Sequence, residues 1–175
     1  MNSEIILIVA GEPNSIFSEI LFKSLSKLNC KKPIVLICSY KLLKLQKTKL
    51  KFRKKIKLLN FKKLNKLKLN NKSINLIDVE YNQKKAFQKI STRSSRYIEN
   101  CFKIAFKLIK EEKIIRFING PISKEHFLKK KYLGVTEYIS NHFSVKKTCM
   151  MIFNKKLSVC PVTTHLPLKL VPKKN

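Results

Sequence analysis

Apolar residues run without interruption from Ile5 to Ala10, break at the turn "GEPNS", and then recur at helical spacing. A short continuous apolar run of this kind predicts a strand covered on both faces. Asn14 or Ser15 is placed to cap the helix that follows, and Ile16, Ile20 with Leu21, Leu25 with Ser24, and Leu28 are its expected buried stripe. "PIVLIC", residues 33–38, is a second buried strand, and this strand–helix–strand order predicts a parallel α/β sheet. "SINLIDVE" (73–80) reads as a further strand, and "IIRFI" (114–118) as a third buried strand. Residues 92–112 give the clearest helix, with Ile98, Cys101, Phe102, Ala105, Leu108 and Ile109 on one face. Ser123 is an expected N-cap for a short helix, and "GVTEYISNHF" begins another. "CMMIF" and "LSVCPV", joined by Asn154-Lys155-Lys156, read as a hairpin or two adjacent strands. No repeat or linker interrupts this pattern, so residues 1–175 are expected to form a single α/β region.

Composition narrows the class. The apolar share is 44% of 175 residues, enough for a globular domain with a true core. No apolar run approaches the eighteen or so residues of a membrane span, and the N-terminus carries Glu4 and no basic segment of a secretory signal. The five cysteines lack a C-x-x-C pair. That argues against a zinc knuckle or a disulfide framework and fits a reducing, cytoplasmic setting, with the thiols read as small buried groups.

The net charge of +29 points in two directions. A strongly basic chain ordinarily meets an anionic partner, nucleic acid or membrane surface. Yet there are 35 lysines and only 4 arginines, whereas nucleic-acid readers favour arginine for bidentate contacts. Residues 41–70 hold twelve lysines, Arg53 and no acid, with leucines throughout and Phe52 and Phe61 among them. Lysine beside phenylalanine suits a nucleic-acid surface. The plainer reading is an amphipathic region whose leucines face the core and whose lysines face water.

Three polar loops follow apolar strands: "GEPNS", "NGPISK" and "TTHLP". Ligand sites of open α/β sheets gather at the carboxyl ends of strands. The loops could therefore bring Glu12 and Glu19, then Asn119, Ser123 and Lys124, then Thr163, Thr164 and His165 to one cleft, with Thr136 and Glu137 of "GVTE". No dinucleotide or P-loop glycine pattern is present, and Gly11 and Gly120 read as turn glycines.

Four ordered stretches, "VAGEPNSIFSEI", "NGPISKEHF", "GVTEY" and "VTTHLPLKLV", resemble the 4-hydroxythreonine-4-phosphate dehydrogenase family of pyridoxal phosphate biosynthesis. The resemblance implies an isocitrate/isopropylmalate dehydrogenase-like α/β/α sandwich, with an active site between two lobes and completed by a second subunit of a homodimer. It implies NAD- or NADP-dependent oxidation of a phosphorylated hydroxy-amino acid, 4-hydroxythreonine 4-phosphate, followed by loss of CO2. A divalent metal (Zn, Mg or Co) would polarise the oxygen. His165 would fall on the first of three metal-ligating histidines, Thr136 would contact the substrate, and Lys124 would hold the anionic substrate or assist proton transfer. No cofactor-binding residue is assigned.

The departures bear on function. Val135 stands where the family has a histidine, and Asn119 where it has threonine. Ser15, Phe17 and Ser18 replace two glycines and a proline of the first motif. The second lobe is expected to be incomplete, so that the chain corresponds to the N-terminal part of a two-lobed dehydrogenase and is inactive alone. Two rival readings stay open: a basic nucleic-acid-binding module, and a non-catalytic remnant of the dehydrogenase.

Overall fold

The computed structural model describes residues 4–128, 131–146, 148–163 and 167–173. It falls into two compact units, residues 1–127 and 128–175.

The first unit is a five-stranded, all-parallel sheet with strand order β3-β4-β2-β1-β5. Its elements alternate as the hydrophobic pattern predicts: β1 (Ile6–Val9), α1 (Phe17–Lys27), β2 (Ile34–Cys38), α2 (Tyr40–Lys49), β3 (Ile56–Leu58), a 3-10 segment (Phe61–Lys66), β4 (Ile74–Asp78), α3 (Ser95–Glu112) and β5 (Arg116–Asn119). Side chains alternate across a strand, so the sheet presents two residue sets. Ile8, Ala10, Leu36, Cys38, Ile74 and Leu76 pack with Leu21 and Phe22 of α1 and Leu43 of α2. The intervening Leu7, Val9, Val35 and Ile37 are fully buried, and α3 lies against β1 and β2. That helix buries Ile98, Cys101, Phe102, Ala105 and Leu108 as predicted, adds Tyr97 and Phe106, and leaves Ile109 half-buried.

Two sequence expectations shift. The buried face of α1 is Ser18, Leu21 and Phe22, while Ile16, Ile20 and Leu28 are exposed. The expected stripe was therefore rotated. Part of it instead lines an apolar groove of about 580 Å³ that includes Ile6, Ile8, Ile20, Leu25, Leu28 and Ile118. The strand expected to be buried over 114–118 is β5, which is only half-buried: Ile118 lies beside Ile8 in the parallel register and is 51% exposed. The β1–β5 portion of that sheet face thus has no complete cover among the described residues.

Residues 41–70, unassigned from the sequence, hold α2, β3 and the 3-10 segment. Leu42, Leu43, Leu59 and Leu64 are buried, whereas Lys41, Lys44, Lys51, Lys55, Lys57, Lys62, Lys63, Lys66 and Lys68 are exposed. Both phenylalanines are engaged internally: Phe52 stacks on Phe22 at 4.4 Å, and Phe61 lies under the Lys107 ammonium. This is the amphipathic arrangement, with leucine inward and lysine in water.

The carboxyl end of β2 meets α3 through Cys38, Tyr97 and Cys101, all buried, with Ser39 N–H donating to Tyr97 Oη at 3.0 Å. Burial pushes all three acids up, and Cys101 reaches about 12. A folded state that keeps protons the unfolded chain loses is destabilised as pH rises. The sign follows directly: stability is flat below the ordinary thiol and phenol values, then falls from about pH 9 upward until the folded groups ionise. Unfolding free energies from urea titrations between pH 7 and alkaline pH are expected to decline by about 1.4 kcal/mol per pH unit for each such proton. Cys101→Ala is expected to flatten that decline; an unchanged slope would reject the assignment.

The second unit contains α4 (Val135–His142) and an antiparallel hairpin, β6 (Ile152–Phe153) with β7 (Ser158–Val159). The hairpin turn falls at Asn154–Lys156, where Asn154 N–H donates to Leu157 O and Lys156 N–H to the Asn154 side chain. Among the described residues, no helix is long and apolar enough to cross a membrane.

Candidate active-site loops at the carboxyl edge of the sheet

Strands β1 and β5 are parallel neighbours, so the loops that follow them leave the same edge of the sheet. They are also locked together. Gly120 N–H donates to Val9 O at 2.7 Å, and Glu12 N–H donates to Pro121 O at 2.8 Å. Gly11 has φ +74°, and a Cβ there would strike the Pro121 carbonyl. A Cβ on Gly120 would strike the Ala10 carbonyl and lie 2.7 Å from the Phe17 ring. Both glycines are therefore needed because two backbones meet, not because a ligand approaches.

Glu12 is only 1% exposed. Its carboxylate accepts from Ser94 Oγ at 2.6 Å and from Asn14 N–H at 3.2 Å. The loop is gripped from outside as well. Gln46 Nε2 donates to Pro13 O and to Ala86 O, while the Asn14 and Gln83 amides pair with each other. Tyr81 sits near this carboxylate. Burial raises its hydroxyl above the ordinary value, the Glu12 charge adds to the rise, and Arg93 opposes it. Glu12 is thus an internal strut joining β1 to the start of α3, and Glu19, ion-paired with Lys23 on the exposed side of α1, is turned away from it. The expectation that both glutamates face one cleft is not met.

The loop after β5 leads into a single π-type turn, Lys124–Leu128. Ser123 caps it as expected: its Oγ accepts from His126 N–H at 3.2 Å and lies 2.8 Å from His126 Nδ1. Ser95 Oγ donates to His126 O, and Phe127 stacks on Phe102 at 5.8 Å, so α3 holds the turn at two points. Lys124 is exposed at its first position, with Asn119 half-buried upstream.

In the second unit Thr136 is exposed in the first turn of α4, and its carbonyl accepts from Ser140 Oγ. Glu137 is exposed beside Gly134, and Thr163 is half-buried. Thr164 and His165 lie outside the described residues. Of the three expected loops, the first two are brought together; the third belongs to the second unit.

Sequence reasoning missed Ser94, Asn14 and Gln83 as partners of the first loop. Ser94 carried one legible signal, a serine at the mouth of the strongest helix; the two amides carried none. It also misread two thiols. Cys38 and Cys101 are buried and Cys30 is half-buried, but Cys149 and Cys160 are exposed.

The profile of the Pyridoxal phosphate biosynthetic protein PdxA family matches residues 29–174. The chain belongs to the PdxA family. A 4-hydroxythreonine-4-phosphate dehydrogenase from Sulfurihydrogenibium sp. is 33% identical over 168 residues, which are 94% of this chain and 51% of that relative. Solved structures show the same fold. A 4-hydroxythreonine-4-phosphate dehydrogenase from Burkholderia phymatum superposes with a TM-score of 0.80 at 23% identity, over 97% of this chain and 52% of that one. A putative enzyme of that name from Salmonella typhimurium gives 0.81, also at 23%, over 98% and 55%. The chain thus spans about half the length of the PdxA-family proteins it matches, and the α/β fold with a parallel sheet is theirs.

The PdxA family implies a nicotinamide cofactor and a metal. The described residues of this chain do not assemble a metal donor set by themselves. No three His, Cys, Asp or Glu side chains among them converge on a point where a metal ion could sit, and a catalytic metal needs about three protein ligands. The two loop glycines face backbone and leave no cradle for a pyrophosphate.

Proposed function

We propose that this PdxA-family chain supplies part of the site for NAD(P)-dependent, metal-assisted oxidation and decarboxylation of 4-hydroxythreonine 4-phosphate in vitamin B6 biosynthesis. A polypeptide equivalent to the unmatched half of the relatives completes that site. The observation that carries this reading is the pair of locked loops at the carboxyl edge of β1 and β5, within a family match that runs nearly the whole chain. The partly uncovered β1–β5 face agrees with a protein completed by further polypeptide.

The roles of this chain's residues follow from charge and position. Lys124 presents an ammonium on a short turn held by α3, where it binds the anionic substrate or moves a proton. Thr136 offers a hydroxyl in the first turn of a helix, where backbone N–H groups also favour a phosphate. His165 supplies an imidazole toward a divalent metal, and other ligands come from the second polypeptide. The active form is a homodimer of the completed protein in the cytoplasm.

The test combines this chain with a polypeptide corresponding to the unmatched half of the Sulfurihydrogenibium relative. NADH formation is followed with 4-hydroxythreonine 4-phosphate, NAD and a divalent metal. Turnover is expected only with both parts present. Lys124→Ala is expected to lower kcat/KM by about 100-fold, Thr136→Ala to raise KM, and His165→Ala to abolish turnover. No NADH from the combined parts, in a preparation shown to be folded and associated, overturns the reading.

A further inference from the structure

Cys149 and Cys160 stand with their sulfurs 2.8 Å apart, and both are exposed. They flank the hairpin at its open end. Cys149 lies three residues before β6, Cys160 directly follows β7, and the turn at Asn154–Lys156 closes the other end. The three remaining cysteines are separated from this pair by burial: Cys38 and Cys101 are inside the sheet unit, and Cys30 is half-buried there.

The hairpin needs a fastening. It has two paired residues on each strand, and Ile152, Phe153, Ser158 and Val159 are all exposed, Phe153 at 72%. A two-stranded ribbon without a covered face is marginal in water. A covalent link at its open end would hold the strands in register and fix the chain entering residues 161–163.

We propose that Cys149 and Cys160 form a dithiol–disulfide site that a low-molecular-weight disulfide, such as oxidised glutathione, converts to an intramolecular bridge. The thiolate of one cysteine attacks a sulfur of oxidised glutathione, forming a mixed disulfide and expelling one glutathione thiolate. The second cysteine, after losing its proton to solvent, attacks the protein sulfur of that mixed disulfide and expels the second glutathione. Two protein thiols are oxidised, one glutathione disulfide is reduced to two glutathiones, and reduced glutathione in excess reverses both steps. The proximity matters most in the second step, which is intramolecular and needs only a small approach to reach the bonded distance of about 2.05 Å. Sharing a hydrogen bond with Cys149 holds the Cys160 thiol above its ordinary range. The exchange is accordingly expected to accelerate with pH.

This inference is independent of the dehydrogenase reading. The experiment uses the full chain, reduced, freed of reductant, and exposed to millimolar oxidised glutathione. Intact mass is expected to fall by two hydrogens without added glutathione, and three of the five thiols should remain titratable in denaturant. Trypsin without reductant should release the peptide beginning at Thr148, which contains Cys149, joined to the one containing Cys160. Cys149→Ser and Cys160→Ser should each abolish the bridge and trap a single glutathione on the remaining thiol of the pair. In urea the thiols of the sheet unit become accessible, and pairings with Cys30, Cys38 and Cys101 should appear beside the local one, which keeps the advantage of its short loop. Glutathione on both cysteines without a bridge, a bridge between chains, or equal pairing with Cys30 under native conditions would overturn the proposal.

Discussion

Gly120→Ala is expected to destabilise the sheet unit by about 3–4 kcal/mol, although it adds one methyl group. The new Cβ has no side-chain end to push aside: it meets the Ala10 carbonyl, and the Phe17 ring lies 2.7 Å away. Relief requires the loops after β1 and β5 to part. That would lengthen Gly120 N–H to Val9 O and Glu12 N–H to Pro121 O, the two bonds that join them. The strut from Glu12 to Ser94 would be displaced with them. Gly134→Ala is the internal control. Its Cβ would meet only the Glu137 carboxylate, at 3.0 Å on an exposed and flexible side chain. It should cost less than about 0.5 kcal/mol. The chain lacks tryptophan, so urea unfolding can be followed by tyrosine fluorescence, to which Tyr40, Tyr81 and Tyr97 of the sheet unit contribute three of the five fluorophores. Equal midpoints for the two variants would mean that the loops are not locked as described.

The legible part of this protein was the part whose hydrophobic pattern has a single solution. β1, β2, β4 and α3 were each predicted within a few residues, because a buried parallel strand must be apolar throughout and a core helix must repeat every three to four residues. The Ser123 cap was legible for a similar reason, since a serine before a short helical run has one economical use. Residues 41–70 were not legible. Lysine alternates there with leucine at spacings that satisfy neither period, and α2 is settled by Leu42, Leu43 and Gln46 finding the sheet. The buried face of α1 was misplaced because isoleucine and leucine occur on two sides of that helix, and pattern alone does not say which side the sheet takes. At the site, the motif residues were found by resemblance to a family. The Glu12–Ser94 pair joins positions 82 apart and carries no local signal. The family match extended the legible part to the class of protein; it covers Cys149 and Cys160 but gives no sign of their approach, which depends on hairpin register.

Phe102→Ala is expected to cost about 4 kcal/mol and, beyond that, to loosen one turn at the sheet's carboxyl edge. Phe102 is fully buried, with Phe106 at 5.5 Å, Phe117 at 6.0 Å and Phe127 stacked at 5.8 Å. Those rings belong to α3, to β5 and to the turn that begins at Lys124, so one side chain joins the helix, the strand and the candidate catalytic turn. Leu108→Ala removes an equally buried side chain nearer the end of the same helix, and it should lower global stability to a comparable degree. Hydrogen exchange separates the two effects. The Phe127 amide donates to Ser123 O at 2.9 Å. In Phe102→Ala this amide should exchange faster than the fall in global stability accounts for, whereas in Leu108→Ala it should track that fall. Ser95 Oγ still holds His126 O in both variants, so the turn is expected to loosen rather than unfold. Equal exchange at Phe127 in the two variants would show that the aromatic stack fills the core without positioning Lys124. The ammonium would then owe its place to the Ser123 cap and the Ser95 bond alone.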